Sequence, residues 1–478
     1  MLKVFLNNLF QTKSILSLAF ASIILVLFNY LGFIVLSGGY FIVVALSNLF
    51  IIWTLFECLF KREISYLVFL YFLAIPLENW MIRMDRSLEI IIFPFFINYS
   101  FIFISFLFYR ILKRRKISIS IEHILLFFIV LFFSILSTLS SKNYLITING
   151  IVYGLILPFI IYIIVLNIVK RKEDIINILE CIVFSLFFYN IFNVLVEFAG
   201  IVTGAFGNQR ISGIFGNANF YSPILIVSTL VSLFLILYYR KTYRLYKPIF
   251  IATFVLSVFL LLSIGSRGSF IFFVLGSLLV IAQYITSINK KIFIFLFMLI
   301  VISTLYLTID FSTFLQESNF ATFKRLYYFQ DSSFEEPRLM IWKNAIDFIV
   351  TENTLFRGTG FGILMYEEIG RSTPHSSPLH LAISIGIFGS LAYHILIVYS
   401  IYTGRHLKNI ITINIVSIVI IALMLNMVFS GYRILLYIPD GNITIPSMNA
   451  HLDVILLWVF IGIANASNKI NQNLKTND

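Results

Sequence analysis

The stretch that decides the architecture is KPIFIATFVLSVFLLLSIGSRGSFIFFVLGSLLVIAQYITSINK, residues 247–290. Between Lys247 and Lys290 it carries a single charged side chain, Arg267, near the middle of about 42 residues. A hydrocarbon core about 30 Å thick needs about 20 apolar residues of helix. The stretch therefore reads as two spans that meet at Gly265-Ser266-Arg267-Gly268, a hairpin with almost no loop.

The same grammar fills the chain from Ile15 to Ile463. Of 478 residues, 60% are hydrophobic and only 12% charged, about half the charged share of a soluble domain, and 53 are Phe. Only helices and closed barrels satisfy the backbone inside lipid, and long alternating strands are absent, so a barrel is excluded. The expectation is an all-α polytopic integral membrane protein with about fourteen spans. They are placed near 15–37, 40–60, 64–77, 88–109, 118–140, 146–169, 175–202, 220–239, 248–265, 268–287, 292–309, 378–402, 410–430 and 450–467. The chain thus divides into a transmembrane region over 1–309 with about eleven spans, a long external loop over 310–374, a second transmembrane region over 375–467 with about three, and a polar tail over 468–478. Met1 to Lys13 is short and mixed, and the apolar run behind it is too long for a signal-peptide core, so it is expected to remain as the first span.

Net charge is +12. The basic residues are scattered over many short loops, which fits membrane orientation and not nucleic acid. With the N-terminus inside, short cytoplasmic segments collect 22 of the 34 basic residues, against six in short outer segments. Both termini are therefore expected to be cytoplasmic, and Asp310 to Pro374 to face outward. A loop of about 65 residues among tight turns is expected to be functional. Within it Pro337 opens a helix whose Leu339, Trp342, Ile346 and Ile349 recur at helical spacing, with Arg338, Lys343 and Asp347 off that line. An amphipathic helix lying on the outer membrane surface is expected. Cys58 and Cys181 lie in apolar runs and read as packing residues.

Three residues stand out chemically. Arg267 sits at the hairpin tip between small neighbours, in a position where a merely snorkelling arginine would also be tolerated; a charge in the membrane costs about 3 kcal/mol on insertion scales. Arg210 lies in Gln209-Arg210-Ile211-Ser212-Gly213-Ile214-Phe215-Gly216-Asn217-Ala218-Asn219, an outer segment otherwise explicable as turn chemistry. An arginine pair binds phosphate oxygens bidentately and stays charged at any biological pH, which suits a diphosphate. His375 precedes Ser376, Ser377 and Pro378, with Ser377 expected as N-cap and Pro378 as first helical residue of the twelfth span. A helix N-terminus disfavours imidazolium, and neutral imidazole can accept a proton from a hydroxyl. His380 and His394 share no close face and level with His375 and read as packing or polar-lining residues. Gly358-Thr359-Gly360-Phe361-Gly362 lacks the strand and spacing of a nucleotide loop and reads as a tight turn. No metal-ligand cluster and no cofactor motif is evident.

In their order, these elements resemble the O-antigen ligase and polymerase superfamily of bacterial membrane glycosyltransferases. The likeness rests on Arg210 with Gly213, Phe215, Asn217 and Asn219; on Ser266-Arg267-Gly268; on Arg338 with Trp342; on the Gly358, Gly360, Gly362 turn; and on His375 with Leu379, Gly386 and Gly389. It extends over roughly residues 205 to 400. Ser376 stands where the family often has Asn, and Ala218 where Pro is common. The resemblance implies a GT-C-like helical fold in the bacterial inner membrane and no metal. It also implies transfer of an undecaprenyl-diphosphate-linked oligosaccharide to an acceptor glycan or to lipid A-core. Membrane lipids and a chain-length regulator protein are the implied partners. His375, Arg267 and Arg210 would be catalytic, and Arg338, Trp342, Asn217, Asn219 and Ser266 would contact substrate. Repeat-unit polymerase is preferred slightly to ligase, on the aromatic content and the long outer loop. A lipid-linked oligosaccharide flippase is the alternative of another class; it should show paired halves and charges lining a central cavity.

Overall fold

A computed structural model describes residues 117, 119–141, 144–202, 218–240, 246–264, 266–284, 337–351, 355–360, 376–404, 411–430 and 452–475. The expected spans at 15–37, 40–60, 64–77, 88–109 and 292–309 lie outside them, as do Arg210, Asn217, His375 and Cys58. The described residues form helices and turns, the arrangement that lipid demands of the backbone. In chain order the helices are α1 (Ile121–Thr138), α2 (Tyr144–Ile151), α3 (Leu157–Ile168), α4 (Lys172–Val202), α5 (Ala218–Tyr238), α6 (Lys247–Ile264), α7 (Arg267–Gln283), α8 (Pro337–Thr351), α9 (Ser377–Gly404), α10 (Ile411–Ser430) and α11 (Leu452–Lys475). Among the described residues, five helices are long and apolar enough to cross a membrane: α1, the first part of α4, α5, α6 and α9. The protein is a multi-pass membrane protein.

The expected span at 146–169 is one continuous rod with a wide turn inside it. Between α2 and α3, Val152–Ile156 is a π-helical turn, and Leu157 N–H reaches back to the Val152 carbonyl. Pro158 follows at once. It has no N–H for the Gly154 carbonyl, and the wider turn accommodates that gap without breaking the rod.

Helices α5 and α11 form the centre. α5 packs against α4, α6, α7, α10 and α11, and α11 also packs against α3, α9 and α10. Residues 454–467 of α11 are buried without interruption. Trp458 meets the rings of Phe159, Tyr162 and Tyr393 there. The peripheral helices each leave one apolar stripe uncovered: Ile121, Leu125, Phe128, Phe132 and Ile135 on α1; Ile251, Val255 and Phe259 on α6; Ile271, Leu275 and Leu279 on α7. Spacings of three and four keep each stripe on one face, the face a bilayer covers. Cys181 is buried in the core, as expected of a packing residue.

Hydrogen bonds inside the bundle register the helices. The Tyr221 hydroxyl donates to Asn190 Oδ1 at 2.9 Å, and Asn190 Nδ2 donates to Ser257 Oγ at 2.7 Å and Ser228 Oγ at 3.2 Å. This ties α4, α5 and α6 at mid-depth. Toward one end of the bundle the Tyr239 hydroxyl donates to Glu180 Oε1 at 2.7 Å, and the Arg240 guanidinium lies 5.8 Å from the Tyr284 ring centre. Asn465 also ties α11 to the end of α9 there, donating to the Ser400 carbonyl and accepting from Thr403. This basic end, with Arg171 and Lys172 at the start of α4, is opposite the end where α5 and α7 begin.

The twelfth span is not one straight helix. Gly386, at φ 78° and ψ 165°, breaks α9 into Ser377–Ile385 and Ile387–Gly404. Ser390 Oγ donates to the Pro378 carbonyl at 3.0 Å, although the two stand twelve residues apart. A straight helix would separate them by about 18 Å, so the first half folds back alongside the second. The second half alone is about 27 Å long and still spans the core. The helix also starts one residue earlier than expected. Ser376, not Ser377, precedes the first turn, and its carbonyl accepts from His380 N–H at 2.9 Å.

Candidate functional site

The structure gathers two groups of the expected site residues. The first lies where α5 and α7 begin. Ser266 has the extended backbone of an N-cap, at φ −92° and ψ 99°, and Arg267 is the first residue of α7. The Ser266 side chain makes no capping bond to the helix; its hydroxyl is shared with Ser269 Oγ at 2.8 Å. Ser269 Oγ donates to Ser222 Oγ at 2.8 Å, one turn into α5 from Asn219. Asn426 Nδ2, near the end of α10, donates to Ser269 Oγ at 2.6 Å. Ser222 and Ser269 are fully buried, and Ser266 and Asn426 nearly so. The result is a buried polar knot directly beneath the backbone that carries Arg267 and Asn219. The hairpin tip read from the sequence is there: α6 ends at Ile264 and α7 begins at Arg267.

The second group surrounds the folded-back half of α9. α8 starts at Pro337 as expected, with Arg338 second in the helix, and packs on α9. Its buried face differs from the expected line, however. Ala345 and Ile349 are buried against Ala382 and Ile383, with Phe348, Leu355 and Leu379 around them, and Trp342 is half-buried. Leu339 and Ile346 are exposed, with Val350 and Lys343 on the same face. The helix therefore carries two apolar faces. One is spent on α9, and the other is exposed beside the polar arc of Asn344 and Asp347.

The glycine run does more than turn the chain. Thr359 N–H donates to the Ile383 carbonyl at 2.9 Å, Gly360 N–H to the Ser384 carbonyl at 3.0 Å, and Ile387 N–H to the Leu355 carbonyl at 2.8 Å. These bonds use backbone groups that the break at Gly386 would leave unpaired in an apolar setting. The approach is so close that a Cβ on Gly358 would lie 2.3 Å from the Ser384 oxygen, and one on Gly386 2.6 Å from the Phe356 oxygen. Both also have positive φ, at 65° and 78°. Gly360 sits against Ser141 of the α1–α2 connection and Thr147 of α2. The 355–360 segment is thus pinned to the start of α9, adjacent in sequence to His375. His380 is buried, in keeping with a packing or polar-lining residue, and His394 Nδ1 lies 2.7 Å from the Ser390 carbonyl. Helices α10 and α11 connect the two groups, α10 packing on α5, α7 and α9, and α11 on α5 and α9.

Sequence reasoning passed over Ser222, Ser269 and Asn426. The available signal was the Ser266–Ser269 spacing of one helical turn and a polar Asn inside an apolar span, where polar side chains need a stated reason.

Fold and site together define a polytopic helical membrane protein with the 355–360 segment docked on a broken helix and an arginine at a hairpin tip between two apolar helices. Residues 252–394 match the family described as O-antigen ligase, so this part of the chain is an O-antigen ligase family domain. The match covers less than a third of the chain. It takes in Ser266, Arg267, Arg338, Trp342, the glycine run and His375, and leaves Arg210, Asn217 and Asn219 outside it. Members of that family are membrane glycosyltransferases of the ligase or polymerase type, acting on lipid-linked glycans. No curated protein and no solved structure matches the chain.

Proposed function

We propose that this protein is a polysaccharide repeat-unit polymerase that transfers a glycan from undecaprenyl diphosphate to an acceptor glycan at the outer face of the cytoplasmic membrane. The observation that carries this reading is the start of α7. There the N-cap hydroxyl of Ser266 is turned into the protein, so that it does not cap the first-turn amides beside Arg267. Uncapped amides at a helix N-terminus and a guanidinium both favour phosphate oxygens.

The chemistry follows from the leaving group. The acceptor hydroxyl oxygen attacks the anomeric carbon, and the bond from that carbon to the diphosphate oxygen breaks. Undecaprenyl diphosphate departs with the electron pair. Arg267 and Arg210 hold the diphosphate and stabilise its developing charge, while His375 orients the hydroxyl and takes its proton. Arg338 makes a further phosphate or sugar contact, and Trp342, Asn217 and Asn219 line the glycan. Ser266 spends its hydroxyl on Ser269 and acts through the backbone. Both termini are cytoplasmic, and α8 rests its Leu339, Ile346 and Val350 face in the outer leaflet.

Ligation to lipid A-core is the second reading, favoured by the description of the matched family. Deleting the protein in its own host separates the two. Surface glycan capped at one repeat, with single repeats on the lipid carrier, supports the polymerase. Long chains accumulating on outward-facing lipid, with surface glycan lost, support the ligase. An unchanged glycan ladder and lipid pool would reject both.

A further inference from the structure

We infer that Asn426 is a positioning residue for the diphosphate site: through Ser269 it locks the first turns of α5 and α7 together and so sets the backbone from which Arg267 departs. The inference rests on the reading of Arg267 as a diphosphate ligand.

A serine hydroxyl has one hydrogen to give and two lone pairs to receive. Ser269 uses all three. It donates to Ser222, accepts from Asn426 Nδ2, and therefore accepts from Ser266 as well. The hub is saturated and its direction is fixed: Ser266 must be the donor toward Ser269. Ser222 comes from α5, Ser266 and Ser269 from the hairpin tip, and Asn426 from α10, 157 residues further along the chain than Ser269. α10 packs on both α5 and α7, so it can brace them from one side. Interhelical hydrogen bonds in bilayers add little net stability, because separated helices also find partners. A buried Asn here therefore contributes mainly geometry. Without its N–H, one lone pair of Ser269 is left empty in an apolar setting and the hub can turn. Ser266, and with it the N-cap that aims the first residue of α7, turns too.

The test uses the full chain in lipid nanodiscs, with undecaprenyl diphosphate as probe and its dissociation constant as readout. Asn426→Leu is expected to weaken binding about tenfold, the scale of one misaligned charge-assisted hydrogen bond. Arg267→Ala is expected to weaken it at least as much, and Asn426→Leu added to Arg267→Ala to cost nothing further, because the two changes remove the same interaction. Ser269→Ala, a smaller change, is measured in parallel and should follow the same pattern should the leucine variant not fold. Wild-type affinity in Asn426→Leu and Ser269→Ala, or a loss that adds in full to that of Arg267→Ala, overturns the positioning role and leaves the diphosphate site standing. An Arg267→Ala protein that binds as tightly as the unaltered one removes the diphosphate site itself.

Discussion

Replacing Gly386 by alanine tests the broken helix most directly. At φ 78° and ψ 165° the residue occupies a region open essentially to glycine, and a side chain there costs about 1–3 kcal/mol. The new Cβ would also lie 2.6 Å from the Phe356 oxygen and 2.7 Å from the Leu355 oxygen. Both are backbone atoms and cannot rotate away, so the 355–360 segment must retreat. The bond from Ile387 N–H to the Leu355 carbonyl goes with it, at about 1 kcal/mol. The total is about 2–4 kcal/mol, concentrated where α9 begins. Gly268→Ala is the control. Its Cβ would meet Phe272 at an ordinary 3.8 Å within a helix, where alanine is the better helix former by about 1 kcal/mol. Thermal unfolding of the purified protein, with glycan length in a complemented deletion strain, gives the two readouts. Gly386→Ala is expected to melt earlier and to shorten the surface glycan, and Gly268→Ala to melt no earlier than the unaltered protein. Equal melting of the two alanine variants would refute the reasoning, since it would mean that the fold-back does not depend on the glycine.

Other expectations concern the charge at the hairpin tip and the orientation. Arg267→Lys should lower glycan transfer nearly as far as Arg267→Ala, because a point charge does not replace a two-pronged guanidinium; full activity in the lysine variant would remove bidentate binding from the mechanism. With Cys58 and Cys181 replaced by alanine, a cysteine at Asn344, exposed on the polar arc of α8, should react with a membrane-impermeant maleimide added to cells with opened outer membranes. A cysteine at Arg240 should react only after the inner membrane is permeabilised. The reverse pattern would invert the topology and move Arg267 to the cytoplasmic side.

The described helices from Ile121 onward were legible because lipid imposes a simple local rule, and their ends fall within a few residues of the apolar runs except at α11, which continues past the expected end at 467 to Lys475, through most of the stretch read as a polar tail. Pro337 as a first helical residue and the bare tip at Ser266 and Arg267 were legible for the same reason, being set by neighbours in sequence. α8 was only half legible. Its period is helical, but two of its faces are apolar, and nothing local tells Ala345, which packs on α9, from Ile346, which does not. The glycine run gave away a turn. That the turn is tied to Ile383 and Ser384 depends on a partner more than twenty residues downstream.

By itself, then, the sequence determined that the chain crosses the membrane many times, where most crossings begin, and that one arginine stands at a hairpin tip. Each of these follows from the thickness of the hydrocarbon core and the cost of charge within it. Tertiary structure alone decided that α9 folds back at Gly386, that α8 covers that fold, and that Ser222, Ser269 and Asn426 meet beneath Arg267. The reason is physical. Inside lipid, helices are apolar nearly all round, so periodicity no longer says which face packs. The few buried polar groups choose their partners by proximity across the bundle.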